Sequence, residues 1–346
     1  MADFGGWEMP IEYPDGGVLK EHAAVRECVG LFDVSHLGKM QVSGPGAREF
    51  VNRQFTNDLS RIDPGQAQYS MLCDVSGGVV DDLIVYLRSD SDVFVVPNAA
   101  NTAAVVEQLT AAAPDGVTVE NQHTGFGVLA VQGPRADAVM QALGLPYGHE
   151  YMEFVETDFQ ESQVIVCRTG YTGERGYELV PTWEATPALW DAVMEAVGAE
   201  GGRPVGLGAR DTLRTEMGYP LHGQDLSSTI SPVQARAGWA VGWNKPEFSG
   251  RSTLLAEKEA GPRRRLFGLL ATDRGIPRPH MQVKDASGSV IGEVTSGTFS
   301  PTLRTGIGLA LLDSSTSEGM EVTVDVRGRP STMTVVCPPF VDVSPR

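Results

Sequence analysis

Apolar and polar positions change period repeatedly along the 346-residue chain. Residues 3–16 show no period, are rich in Gly, Pro and aromatics, and read as loop. Residues 18–29 carry a loose helical face (Val18, Ala24, Val25, Cys28, Val29) that Gly30 stops. Residues 31–36 are compact and half apolar, and 39–42 alternate as a strand does. Gly44-Pro45 opens a helix over 47–55. Residues 66–73 and 79–87 read as two strands joined through Ser76-Gly77-Gly78, a hairpin signal, with a third strand at 93–96. Asn101 is placed to cap the N-terminus of a helix over 102–112. Residues 127–132 form a strand, and Gly133-Pro134 opens the next helix.

Two apolar runs, 164–167 and 177–180, flank a turn in which Gly170, Gly173 and Gly176 are evenly spaced among polar side chains. Glycine permits positive φ and close backbone approach, so two strands are expected to meet there at an ordered turn. Helices follow over 183–197 and 207–217, then a polar loop over 219–231, an aromatic stretch over 239–243 and a short helix within 248–260. Gly261-Pro262-Arg263-Arg264-Arg265 reads as a boundary, its arginines either a solvated linker or a docking patch. Beyond it, strand-like runs at 266–270, 290–294, 307–312, 321–326 and 333–337 predict an all-β barrel or roll. Strand–helix units mixed with hairpins indicate α+β, and no G-x-G-x-x-G follows a strand. An internal echo, V-x-G-P-x-A at 42–47 and 131–136, is compatible with either coincidence or duplication.

Composition narrows the class. The chain is 41% hydrophobic and 21% charged, ordinary for a globular protein with a sizeable core. No apolar run approaches the ~18 residues a membrane span needs, and the N-terminus lacks a signal-peptide pattern, so a cytoplasmic location is expected. A net charge of −17 opposes nucleic acid and anionic membranes. The 27 basic residues include only 5 Lys, so an anion site would be built from Arg. The four cysteines, Cys28, Cys73, Cys167 and Cys337, lie 45 or more residues apart with no His at ligand spacing, which argues for free thiols and against disulfides or a metal site.

Few residues invite chemistry. Asp81-Asp82 opens an otherwise apolar strand, where neighbours face opposite sides. One carboxylate must therefore face the interior or a cleft, and it is either paired or functional. Arg210, on the helix after Gly206-Leu-Gly208, can fork onto a carboxylate or stack on a planar ring. His36, His123 and His222 have no partner at a telling spacing and read as structural.

Segments 5–10 (GGWEMP), 31–40 (LFDVSHLGKM), 56–73 (TNDLSRIDPGQAQYSMLC), 77–86 (GGVVDDLIVY), 96–101 (VPNAAN), 168–179 (RTGYTGERGYEL), 206–216 (GLGARDTLRTE) and 292–303 (GEVTSGTFSPTL) resemble, in one order, the T-protein of the glycine cleavage system, an aminomethyltransferase. The resemblance implies a three-domain cloverleaf around a central channel, with a folate-binding α+β body of two interwoven domains over 1–250 and a β-barrel over 263–346. It implies transfer of the methylene of an aminomethyl group, carried on the dihydrolipoyl arm of the lipoylated H-protein, to tetrahydrofolate. Neither a metal nor a protein nucleophile is expected. It points to Asp82 as the catalytic carboxylate, to Glu178 as acceptor for the pterin edge, and to Arg210, Asn98, Tyr171 and Tyr69 as folate neighbours. Within the superfamily, a folate-dependent small-molecule demethylase and a non-enzymatic iron–sulfur maintenance protein are the alternatives. The latter's Cys-bearing motif is replaced here by 219–225 (YPLHGQD), without Cys. Three departures stand out: the family's N-terminal helix is not expected ahead of residue 3, Gln234 occupies a position usually Glu, and the C-terminal end lacks an aromatic found in some relatives.

Overall fold

The computed structural model describes residues 1–326 and 328–345. It divides into two compact units. The first comprises Met1–Leu72, Asp81–Arg210 and Val343–Arg346. It opens on a short hairpin, β1 (Ala2–Phe4) with β2 (Trp7–Met9), where the pattern predicts only loop. Gly5 and Gly6, with φ of 62° and 85°, supply the two-residue turn. The elements that follow are α1 (Val18–Glu27), β3 (Gly30–Asp33), β4 (Met40–Ser43), α2 (Ala47–Gln54), β5 (Gln66–Cys73), β6 (Val79–Ser89), β7 (Asp92–Val96), α3 (Thr102–Ala112) and β8 (Thr118–Asn121). Next come β9 (Leu129–Gln132), α4 (Ala136–Ala142), β10 (Phe154–Phe159), β11 (Ser162–Cys167), β12 (Gly176–Pro181), α5 (Thr186–Ala199), β13 (Arg203–Pro204) and the start of α6 (Leu207–Met217), whose residues from Asp211 on belong to the second unit.

The strands form a five-stranded sheet, β5-β6-β7-β4-β8, and a six-stranded sheet, β10-β11-β12-β9-β3-β13. In the second, Tyr177 and Leu179 of β12, Val164 and Val166 of β11 and Leu129 and Val131 of β9 pack on one face against Val139 and Met140 of α4 and Leu189, Val193 and Val197 of α5. Strand periodicity then turns Glu178 to the opposite face. The V-x-G-P-x-A echo has a local cause. Each copy leaves a strand through a left-handed glycine, Gly44 (φ 111°) or Gly133 (φ 141°). The amide of Ala47 or Ala136 closes the turn onto that glycine's carbonyl, at 3.1 and 3.0 Å. A Cβ at Gly44 would lie 2.0 Å from the Gly116 carbonyl oxygen, and one at Gly133 2.5 Å from that of Cys28.

The second unit comprises Cys73–Val80 and Asp211–Asp342. It holds α7 (Arg251–Ala260), β14 (Arg264–Ala271), β15 (Gln282–Lys284), β16 (Val290–Ser300), β17 (Thr305–Asp313), β18 (Glu321–Val326) and β19 (Arg329–Val336). These six strands close into a barrel, β14-β17-β16-β15-β18-β19, around Leu269, Val283, Val294, Leu312, Val324 and Val335. The all-β expectation holds. The arginine run does not stay a linker, because Arg264 and Arg265 already belong to β14, paired with Asp313 and Leu312. Arg264 donates to Oε1 of Gln234 (2.9 Å) and to the Thr229 carbonyl (2.8 Å). Nε2 of Gln234 donates to Glu257 at 2.7 Å. An amide serves both neighbours at once, whereas a Glu in its place would set two carboxylates against each other. No described helix is long and apolar enough to cross a membrane.

Candidate active site

The site builds up within the first unit, beginning at the end of β6. Asp81 is fully buried and Asp82 half-buried, as strand alternation requires. Asp81 is saturated with donors: the Asn98 amide nitrogen (3.0 Å), Asn98 Nδ2 (2.9 Å) and Asn101 Nδ2 (2.7 Å). Asn101 therefore does not use its side chain as the helix cap that its position suggests; no side-chain capping bond forms at the start of α3. Burial, and then the charge of Asp82, push the Asp81 carboxyl above the usual range, while the three donors pull it back. Asp82 receives Tyr69 Oη on Oδ2 at 3.0 Å and Asn98 Nδ2 on Oδ1 at 3.0 Å. Burial and the neighbouring Asp82 keep the Tyr69 phenol protonated, hence a donor.

Glu178 sits across a tight turn. β11 and β12 pair with Cys167 opposite Glu178, and residues 168–175 connect them. The turn is organised by a residue that sequence gave no reason to single out, Gln132 of β9, only 1% exposed. Its Nε2 donates to the carbonyls of Thr169 (3.1 Å) and Tyr177 (3.4 Å), and its Oε1 accepts from Thr172 Oγ1 at 2.9 Å. Two of the evenly spaced glycines answer to it: a Cβ at Gly170 would lie 2.1 Å from Gln132 Oε1, and one at Gly176 2.4 Å from its Nε2. From outside, Arg26 of α1 clamps the turn through the Thr172 carbonyl (2.8 Å) and Glu174 (2.9 Å). Thr169 Oγ1 then donates to Glu178 Oε2. Burial raises the Glu178 carboxyl above the ordinary Glu range, opposed by the Thr169 hydroxyl and the charge of Arg210.

Arg210 is delivered by the start of α6. The amides of Gly206, Leu207 and Gly208 bond to Glu21 Oε2, the Pro10 carbonyl and the Ile11 carbonyl, each at 2.9 Å. A Cβ at Gly206 would lie 2.4 Å from the Ile11 oxygen, so Pro10-Ile11 and the Gly-Leu-Gly of the helix start are two halves of one contact. The Arg210 guanidinium stacks over the Tyr171 ring at 4.5 Å. Tyr171 in turn lies near enough to Tyr69 to act on it electrostatically.

All six predicted site residues, Asp82, Tyr69, Asn98, Tyr171, Arg210 and Glu178, are half-buried and form one continuous neighbourhood. A carboxylate beside a phenol donor and an amide can hold and orient a basic amine and stabilise positive charge on carbon. A second carboxylate, flanked by a guanidinium, can accept a two-donor heterocycle edge. The histidines lie outside this arrangement. Burial, with Arg210, Lys39 and His123 nearby, lowers His36 to about 3, so it is neutral at physiological pH and too weak a base to hold a proton there. His123 Nε2 meets the His36 carbonyl at 2.9 Å and His222 Nε2 the Val79 carbonyl at 3.0 Å, both structural roles. Among the described residues, no group of three or more His, Cys, Asp or Glu is arranged to hold a metal ion.

The family profile for the GCVT N-terminal domain matches residues 1–245, and that for the glycine cleavage T-protein C-terminal barrel domain matches 264–342. The chain belongs to the glycine cleavage T-protein family. Curated aminomethyltransferases are similar along its whole length. The Frankia alni protein is 67% identical over 346 residues, covering 100% of this chain and 95% of that protein. The Mycobacterium tuberculosis H37Rv protein is 58% identical over 348 residues, covering 100% and 94%. The crystal structure of glycine cleavage system aminomethyltransferase T from Bartonella henselae superposes with a TM-score of 0.92 at 34% identity, covering 99% of this chain and 94% of that one. This T-protein family member is an enzyme, an aminomethyltransferase. Neither the demethylase nor the iron–sulfur alternative is favoured by these relatives.

Proposed function

We propose that this enzyme binds tetrahydrofolate at the Glu178–Arg210–Asp82 neighbourhood and transfers to it the methylene of an aminomethyl group held on the dihydrolipoyl arm of lipoylated H-protein. The observation that carries the proposal is the contrast between two carboxylates on one strand. Asp81 is buried and filled with donors, whereas Asp82 is half-buried, open in part to a ligand, and receives the Tyr69 hydroxyl and the Asn98 amide. Asp82 is thus the carboxylate able to meet a reacting amine.

In the reaction, the carbon–sulfur bond to the arm and the carbon–nitrogen bond to ammonia break. Two carbon–nitrogen bonds to the folate form. The two protons lost from the folate nitrogens leave with ammonia and the arm's thiol, so the step is redox-neutral. Asp82, held by Tyr69, orients the attacking amine and stabilises the iminium-like carbon. Glu178 accepts the pterin amino and ring N–H donors, and Arg210 with Tyr171 offers a planar surface to the ring. Asn98 fixes the Asp82 rotamer. For H-protein, Arg263 and Arg265, both exposed, are the positive groups of the 263–265 run open to an acidic partner, since Arg264 is committed to Gln234. The test is ammonia release from aminomethylated H-protein with and without tetrahydrofolate. Release that ignores tetrahydrofolate would exclude the proposed acceptor.

A further inference from the structure

Behind Glu178 lies a hydrogen-bonded chain that the reaction itself does not use. Thr169, 4% exposed, spends its hydroxyl proton on Glu178 Oε2. Its oxygen also meets Tyr86 Oη at 3.3 Å. A hydroxyl has one proton, so with the Thr169 proton committed to the carboxylate, Tyr86 must be the donor in that contact. Tyr86, 2% exposed, comes from β6 in the five-stranded sheet, whereas Glu178 is on β12 in the six-stranded sheet. The phenol ring is held edge-on by Phe154 (centroids 5.5 Å apart) and tilted against Phe94 (6.1 Å). The Thr169 backbone is held by Gln132 at 3.1 Å. Every member of the chain is therefore fixed by packing independent of Glu178.

We propose that Tyr86 and Thr169 are positioning residues for Glu178: the phenol orders the Thr169 hydroxyl, which locks the carboxylate rotamer and keeps it an acceptor, and together they set how far into acid the enzyme binds reduced folate. The inference rests on the reading of Glu178 as the pterin-binding carboxylate. Burial raises Glu178, while the Thr169 bond and the Arg210 charge lower it. Burial also raises Tyr86 and Cys167, so both stay protonated and neutral beside it. Among the described residues, Arg210 is the cation and Thr169 the side-chain donor that lower this carboxylate. The sign follows. A donor to the ionised form favours ionisation, so removing it raises the carboxyl pKa. Binding that needs the carboxylate is then lost at a higher pH.

The experiment follows the Glu178 titration by carbon-13 NMR of labelled glutamate in the ligand-free enzyme, with Glu178→Gln to assign the signal. Reduced-folate binding is measured by calorimetry over the same acid-to-neutral range. Thr169→Val, which keeps the shape and deletes the hydroxyl, is expected to move the Glu178 midpoint upward. It should move the acid limit of binding the same way and weaken binding about 5–10-fold at neutral pH, the scale of one ordinary hydrogen bond because the carboxylate itself is retained. Tyr86→Phe is expected to shift both in the same direction by less, and Thr169→Ser to restore the parent midpoint. An unmoved midpoint in both Thr169→Val and Tyr86→Phe overturns the relay. Should Thr169→Val not fold, Tyr86→Phe and Thr169→Ser decide by the same readout. If Glu178→Gln binds reduced folate as tightly as the parent, the pterin reading falls instead, and the ligand-free titration still tests the relay separately.

Discussion

Replacing Asp82 with Asn is the sharpest test of the mechanism, because it changes charge and almost nothing else. The side chain keeps its size. Its remaining carbonyl oxygen still accepts from Asn98 Nδ2, now at 3.0 Å, and the new amide can donate to the oxygen of Tyr69, likewise at 3.0 Å. What disappears is the negative charge proposed to face the transferred carbon. Deleting one preorganised electrostatic group typically costs about 10²–10³ in turnover, ~2.7–4 kcal/mol of transition-state stabilisation. Asp82 is only half-buried, so solvent screens part of its field and a loss of about 10² is expected. Single-turnover ammonia release with saturating tetrahydrofolate reads the chemical step, and calorimetry should show folate affinity nearly unchanged. Asp81→Asn provides the contrast. Its three donors would face an amide that cannot accept from all of them, so a stability loss of about 2–3 kcal/mol is expected, seen as a lower Tm. Near-normal turnover in Asp82→Asn, with turnover abolished in a well-folded Asp81→Asn, would refute the choice of carboxylate.

Three further outcomes are expected. Glu178→Ala and Arg210→Ala should each weaken reduced folate by about 1–3 kcal/mol, and unchanged dissociation constants for both would remove the folate site from this region. Gln132→Leu should strip partners from the Thr169 and Tyr177 carbonyls and from Thr172, lowering stability by about 2–4 kcal/mol and loosening folate with it; denaturation and binding measured together would expose an error if both stayed at parent values. Gln234→Glu places a second carboxylate beside Glu257, offset in part by Arg264, and should cost about 1 kcal/mol at neutral pH. That cost should vanish in acid as the pair takes up a proton, and a penalty independent of pH would count against the repulsion.

Local pattern carried much of the secondary structure. α6 spans Leu207–Met217, the same residues that the period marks, and the glycine-spaced turn does join β11 to β12. The barrel strands β14, β16, β17, β18 and β19 lie where alternation and turn residues put them, give or take their ends. The strands that escaped are short or polar: β1, β2, β8, β10, β13 and β15. Thr118–Asn121 is mostly exposed and Phe154–Phe159 carries three charged or hydroxyl side chains, so neither shows an alternating apolar face. Their pairing comes from neighbours, β4 for the one and β11 for the other, far from any local signal in β8.

What the sequence determined by itself was residue type and order: an α+β chain ending in a barrel, two adjacent aspartates on an apolar strand, a polar turn, and an arginine at a helix start. The family followed from the order of those motifs. Tertiary structure decided which partner each polar group keeps. Asn101 carries every mark of a helix cap, yet its amide goes to Asp81, twenty residues away in sequence. Gln132 looks like any strand residue, and only folding brings it against Thr169 and Tyr177, separated from it by 37 and 45 residues. A local pattern records burial and backbone preference because these act within a few residues. A hydrogen bond between distant strands leaves no such periodic trace, and so the division of labour between Asp81 and Asp82, and the turn that holds Glu178, are properties of the folded chain.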